Sequence, residues 1–217
     1  MPFRSHYNRT LRWLAGFAVI GAVAAASAGP IMSNVEQPEY AVISVSGAFE
    51  VRAYPPMIVA RAEVEGERKS AIEAGFRLIA AYIFGANAPN AKIAMTAPVE
   101  QQASQTIAMT APVIQEPKGK AWTVRFIMPK EWSLETLPAP SDDRVKVEAV
   151  PARRMVAIRF TGLADDATIA EKTAELSAFA RERGLSVRGE PLFAFYNPPW
   201  TLPMLRRNEI MLELASA

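Results

Sequence analysis

Tyr54-Pro-Pro-Met-Ile-Val-Ala-Arg-Ala-Glu-Val-Glu-Gly66 and Val150-Pro-Ala-Arg-Arg-Met-Val-Ala-Ile-Arg-Phe-Thr-Gly162 align without a gap at an offset of 96 residues. Pro55 meets Pro151 and Gly66 meets Gly162, while Val59, Ala62 and Val64 fall opposite Met155, Ile158 and Phe160. Each segment reads as a strand that ends at a glycine and leads into a helix. After the first, Ser70-Ala-Ile-Glu73 has the form of a capping box, in which the serine accepts from the first turn and the glutamate reaches back. Ile72, Phe76, Ile79 and Ile83 recur at helical spacing and Gly85 is placed as a stop, so a helix is predicted over Ser70–Phe84. After the second, Asp165 or Asp166 caps, Ile169, Thr173, Leu176 and Phe179 form the stripe, and Gly184 ends a helix over Asp166–Arg183. Both stripes read as core. Further strands are predicted at Trp122–Met128, near Leu185–Phe195 and at Asn208–Leu214. Strand, helix, strands, then the same again, implies an α+β domain of two similar halves in pseudo-twofold relation, its antiparallel sheet covered by two helices. A duplicated unit closing on itself gives a distorted β-barrel, and pockets commonly form where such halves meet.

A second repetition is literal. IAMTAPV occurs at Ile93–Val99 and again at Ile107–Val113. Two copies fourteen residues apart are not a solenoid. Ile93, Met95, Ala97 and Val99 alternate with Ala94, Thr96 and Pro98, and the Ala-Pro step removes a backbone donor, so each copy reads as a short extended arm ending at an edge or bend. With the polar Glu100–Thr106 between them, the two arms are expected to form a β-hairpin, either as packed strands or as the lining of a ligand pocket.

The first residues are unlike the rest of the 217. Arg4, Arg9 and Arg12 precede an apolar run from Trp13 to Ala28, and no acidic residue appears before Glu36. Ala26-Ser27-Ala28 is the small-x-small pattern of a signal-peptidase site. Residues 1–28 are therefore expected to be a cleaved export signal, or else a membrane anchor, with 29–38 a linker and 39–217 the folded domain. The domain is then exported and periplasmic, or held at the inner membrane facing away from the cytoplasm. Taking the three leader arginines away leaves 21 basic against 22 acidic residues, so the sequence pI near 9.0 is not a nucleic-acid signal. With no cysteine, there can be no disulfide, thiolate nucleophile or Cys-type zinc site. A domain of this size needs no such staple.

Four motifs now stand in a fixed order: the doubled IAMTAPV, Pro138-Ala-Pro-Ser-Asp-Asp143, Tyr196-Asn-Pro-Pro199 and Arg206-Arg-Asn-Glu-Ile210. Together they resemble the SOUL family of haem-binding proteins, from about Tyr40 to Leu214. The resemblance implies a distorted β-barrel with two helices, and tetrapyrrole binding without catalysis. It also implies a porphyrin on helix one and on the loop before the last strand, with basic side chains near its propionates. The matching stretches are Phe76–Phe84 and Pro198–Leu205. Where the family has those basic residues this chain has Ala81 and Thr201, so Arg77, Arg206 or Arg207 would have to supply the bidentate carboxylate contact. Arg206 and Arg207 could instead form a structural pair with Glu209.

The expected tetrapyrrole-binding residues are Phe76, Arg77, Ala80, Ile83 and Phe84 on the helix, with Trp200, Leu202, Met204 and Arg206 in the loop. Small Ala80 and Ala81 would let a flat ring approach the helix. The one histidine, His6, lies in the leader, so the commonest axial ligands are missing from the domain. Tyr54, Tyr82, Tyr196, Met95, Met109 and Met204 could ligate, though each also reads as a packed residue. Haem or another porphyrin is therefore expected without a strong axial protein ligand. No GxSxG, HExxH or Gly-rich phosphate loop suggests an enzyme, and Asp142, Asp143, Asp165 and Asp166 sit where aspartates cap turns and helices. The function expected is non-catalytic carriage or sequestration of haem outside the cytoplasmic membrane. The alternative is a binding module for another hydrophobic or planar small molecule, similar to the effector domains of regulators. No nucleic-acid partner is expected, and the membrane is met only through the N-terminal segment.

Overall fold

Strands β2 (Phe49–Tyr54) and β8 (Val145–Val150) are separated by the 96 residues of the repeat at both of their ends, and β3 (Met57–Glu65) and β9 (Arg153–Phe160) begin at the same offset. The prolines of the repeat, Pro55 and Pro151, stand in the connections. These connections do not fold neighbours onto each other: β2 pairs with β9, and β8 pairs with β3. The computed structural model describes residues 35–88 and 104–215. The predicted leader and the first IAMTAPV copy, one arm of the expected hairpin, lie outside the described residues.

The remaining elements are β1 (Ala41–Ser46), α1 (Arg68–Ile83), β4 (Asn87–Ala88), β5 (Val113–Lys118), β6 (Ala121–Ile127), β7 (Ala139–Pro140), α2 (Asp166–Glu182), β10 (Val187–Phe195) and β11 (Asn208–Leu214). Nine strands form one antiparallel sheet in the order β1-β2-β9-β11-β10-β5-β6-β3-β8, and β4 pairs with β7 beside it. From the β8 edge inward the order is β8-β3-β6-β5; from the other side, inside β1, it is β2-β9-β11-β10. The expected barrel closure is absent among the described residues. The two outermost strands, β1 and β8, bond inward and not to each other. At the β1 edge Val42, Ile43 and Val45 are exposed.

Period-two alternation sorts the sheet into two faces. Tyr54, Val59, Ile114, Met155, Ala157, Leu192, Ala194 and Met211 share one face, packed by Val35 and Tyr40. A cavity of about 10 Å³ lies on this face, between Tyr54, Ile114, Met155 and Met211. Residues of opposite parity carry the helices: α1 lies over Ala60, Ala62, Val124 and Phe126, and α2 over Val156, Ile158, Phe193 and Ile210.

Helix α1 departs from its predicted start and face. It begins at Arg68 with Glu67 as N-cap, and the Ser70 hydroxyl donates back to the Glu67 carbonyl at 3.0 Å. The expected Ser70–Glu73 box is thus already inside the helix. Its buried face is Ala71, Gly75, Ile79, Tyr82 and Ile83, while Phe76 is 37% exposed. Gly75 sets this face, because a Cβ there would lie 2.6 Å from Val124 Cγ2; the helix meets the sheet at that point with no side chain between them. Helix α2 follows its prediction closely, with the Asp165 carboxylate accepting from Thr168 N at 2.8 Å. Ile169, Leu176 and Ala180 are buried, and Phe179 stacks on Phe49 with ring centroids 4.2 Å apart.

The second IAMTAPV copy is a buried tie and becomes strand only at Val113. Ile107 N donates to Ile83 O at 2.8 Å, Ala111 N to Glu36 O at 2.9 Å, and the Thr110 hydroxyl to Ile127 O. These partners lie in three different places, and Pro112 has no donor, so no ladder can form before Val113. Ala111–Pro112 is a cis peptide.

Candidate ligand-binding surfaces

The expected site residues fall into two groups, each tied to a different part of the fold. On α1, Phe84 is 60% exposed and Phe76 packs edgewise on Phe126 at 5.3 Å, leaving its outer side in solvent. Ala80 is half-buried, and the Arg77 Nε donates within the helix to Glu73 O at 3.4 Å. Ile83 is fully buried in the α1 core cluster, so it supports the helix from within. On the loop between β10 and β11, Trp200, Leu202, Met204 and Leu205 are all between 49% and 68% exposed. Helix α1 packs on β3, β6 and β8, whereas the loop is fastened to the β9–α2 turn, where Gly162 N donates to Pro203 O at 2.9 Å.

The loop holds its apolar side chains outward because its backbone is braced from behind. The Arg206 Nε donates to Thr201 O at 2.8 Å and its Nη2 to Pro199 O, which ties the guanidinium to the loop's own carbonyls. Asn197 Oδ1 accepts from Arg207 N at 2.7 Å, and Thr201 N donates to Pro198 O at 3.0 Å. Arg206 is therefore a brace of the loop, and Arg207, its neighbour, is the one that reaches Glu209. Thr201 is buried.

Beneath the loop runs a charged network that the motif reading of Arg206–Ile210 only half anticipated. Glu209 and Arg52 are both buried, joined by two hydrogen bonds of 2.6 and 3.0 Å. Arg207 adds a second guanidinium to the same carboxylate at 2.8 Å and lies 3.9 Å over the Tyr196 ring. Tyr196 donates its hydroxyl to Glu209 Oε2 at 2.9 Å, and Arg52 also reaches the Tyr54 hydroxyl at 3.2 Å. No strand over Phe49–Tyr54 was expected; alternation across Glu50-Val-Arg-Ala-Tyr54 is the signal that would place Arg52 on one face with Tyr54. Burial opposes charge on Glu209, but the Arg52 hydrogen bond and charge, joined by Arg207, outweigh it and hold its pKa below the usual carboxylate value.

The same geometry tests whether haem has a ligand here. Tyr82 donates to Pro138 O at 2.9 Å and burial pushes its pKa up to about 12. Burial likewise raises the Tyr54 and Tyr196 hydroxyls. A phenolate is thus disfavoured at all three positions, and each ring is locked in the core. Met109 is half-buried against the α1 cluster, while Met204 is open to solvent; Met95 lies outside the described residues. Among the described residues, these three phenols are engaged within the core.

A third feature was not legible in any one stretch of sequence. A groove of about 700 Å³ runs between the start of α1 and one flank of α2, over Trp122, Pro191 and Phe193. Arg68 reaches across it to Asp166, with Nη1 2.8 Å from Oδ1. Four elements contribute, from residue 66 to residue 193, so no local motif announces it.

Comparison with known proteins gives these surfaces a context. Heme-binding protein 2 of Homo sapiens is 30% identical over 169 residues, 76% of this chain and 78% of that protein. Heme-binding protein 1 of Sus scrofa is 30% identical over 132 residues, 60% of this chain; the match spans 65% of the pig protein's length, just short of two thirds. Among solved structures, the C-terminal domain of EcmrR aligns with TM-score 0.53 at 15% identity, covering 78% of this chain and 98% of that one. A hydrolase from Listeria innocua aligns with TM-score 0.51 at 14% identity, covering 80% and 94%. At such identities these two share the fold alone. The family model for SOUL heme-binding proteins matches residues 35–213, from the first described residue to the last strand, and the chain belongs to that family.

Proposed function

We propose that this protein binds haem or a related tetrapyrrole without catalysis, at the exposed apolar side chains Trp200, Leu202 and Met204 of the loop, with Phe76, Ala80 and Phe84 of α1 as a second apolar group. The observation that carries the reading is the loop: Trp200, Leu202, Met204 and Leu205 are held outward while Arg206 ties up the carbonyls behind them. So much exposed apolar surface in one short segment marks an interaction site, and membership of a family described as heme-binding names the ligand class. The locked tyrosines support binding by burial and stacking, with weak axial ligation suited to reversible carriage. The leader-like residues 1–28 support an exported, periplasmic location, which N-terminal sequencing of the mature protein at Gly29 would check. We further propose that the halves are related by an approximate twofold between β5 and β10. The palindromic strand order supports it, and superposition of the halves in an experimental structure tests it.

Hemin titration of the domain followed in the Soret region is the direct test. Saturable one-to-one binding is expected, Trp200→Ala should weaken it by a few kcal/mol at most through lost burial and stacking, and Tyr54→Phe should leave the spectrum unchanged. Loss of a charge-transfer band in Tyr54→Phe, with Trp200→Ala unaltered, would replace this surface with a phenolate-ligated site.

A further inference from the structure

We infer that the groove between α1 and α2 is a second binding site, for a planar aromatic molecule carrying a single anionic group, with Arg68 as the partner of the anion. Its volume of about 700 Å³ lies within the range of small-molecule sites. The floor is aromatic and apolar, from Trp122, Pro191 and Phe193, and the α2 wall presents Ala170 and Ala174, whose short side chains let a flat ring lie against the helix. Thr173 and Ser177 also line that wall, but their hydroxyls are committed to Ile169 O at 2.7 Å and Thr173 O at 2.8 Å. The charged residues of the lining are Glu67, Arg68 and Asp166, and Arg68 is the cation among them. Its guanidinium lies 5.9 Å from the Trp122 ring and 6.0 Å from the Phe195 ring, and its side chain is 21% exposed.

Two details make Arg68 available to an incoming anion. Its Nε is buried without a hydrogen-bond partner among the described residues, and its contact to Gln115 Oε1 is long, at 3.4 Å. Its counterion, Asp166, has a side chain 83% exposed, so this ion pair is screened by water and contributes little. A ligand carboxylate or sulfonate arriving with an aromatic body would exchange that screened partner for one shielded by its own ring. Asp166 then serves as a placeholder for the ligand's charge. This site lies at the opposite end of α1 from Ala80 and Phe84, and its lining shares no residue with the tetrapyrrole surface.

Isothermal titration calorimetry of the full chain with 8-anilinonaphthalene-1-sulfonate as the anion, and N-phenyl-1-naphthylamine as its neutral counterpart, tests the site. Both should bind once per chain, and Ala174→Trp, a change at an exposed helix position, should abolish both. Arg68→Gln should weaken the sulfonate about tenfold and the neutral probe less than about threefold, while Asp166→Asn should tighten the sulfonate. Saturating hemin should leave sulfonate affinity unchanged. Absence of saturable binding, equal losses for both probes in Arg68→Gln, weaker sulfonate binding in Asp166→Asn, or competition by hemin would each overturn the inference. Only the last touches the tetrapyrrole reading, since it would move that ligand into the groove, and an intact hemin titration keeps the other failures apart from it.

Discussion

Glu209 is the residue on which most of the buried polar chemistry converges. Two arginines and Tyr196 bond its carboxylate, and removing that carboxylate would leave Arg52 buried with a charge and too few partners. Glu209→Gln is therefore expected to cost about 3–5 kcal/mol at pH 6–7, read from urea unfolding. Because the folded Glu209 pKa lies below the usual value of 4.5, its contribution is fully present above that value and is lost as pH falls through the lower, folded one. The wild type should lose stability steeply below about pH 4.5, and Glu209→Gln should show a shallower acid limb; parallel limbs would assign the acid sensitivity elsewhere. Arg52 itself was open to strand alternation in the sequence. The convergence was not, since Arg52 and Glu209 are 157 residues apart and meet only through β9, which pairs with both of their strands.

The two helices show what periodicity can and cannot read. For α2 the stripe, the Asp165 cap and the Gly184 stop are all in the sequence, because large side chains mark the buried face and a carboxylate marks the start. For α1 the buried face is organised around Gly75, which carries no hydrophobic signal, so spacing alone puts Phe76 in the core stripe although it is 37% exposed. The helix rotation set by Gly75 is what leaves Phe76 partly in solvent. Gly75→Ala should destabilise by about 1–3 kcal/mol through overlap with Val124, despite alanine's better helix propensity of about 1 kcal/mol. Adding Val124→Ala should recover part of the loss in the same urea experiment; a neutral or stabilising Gly75→Ala would mean that the helix stands off the sheet. The second IAMTAPV copy fails as a strand for a related reason, because its hydrogen bonds go to tertiary partners that no local pattern names.

At the scale of the molecule, the 96-residue repeat was legible and the strands keep its offset, although β3 and β9 start three residues inside the segments read from the sequence; the exchange of β2 and β8 between the halves was not legible, because pairing partners leave no mark on spacing. The N-terminal boundary is also set by tertiary contacts. Residues 35–38, which read as linker, are tied to the sheet: Glu36 O accepts from Ala111 N, Glu36 Oε1 accepts from Lys130 N at 2.8 Å, and Arg207 reaches Gln37 at 3.1 Å. A chain starting at Val35 should unfold cooperatively with the stability of the longer one. A start at Ala41 should lose about 1–3 kcal/mol from the orphaned Ala111 and Lys130 amides and the missing Tyr40. Equal stability of the two truncations in thermal melts would show that the 35–40 segment contributes nothing.

The open sheet has one guarded margin and one bare one. β8 carries Lys146 and Glu148, charges of the kind that discourage another strand from adding. β1, Ala-Val-Ile-Ser-Val-Ser, has no charge at all, and only the register shift between Val42 and Ser44 interrupts its outward row of amides and carbonyls. Crowded chains should therefore stick along this seam, β1 to β1, well before the core yields. Val45→Lys should lower the concentration-dependent light scattering of the native protein while leaving its melting temperature unchanged, and an unaltered scattering curve would place the adhesive surface elsewhere.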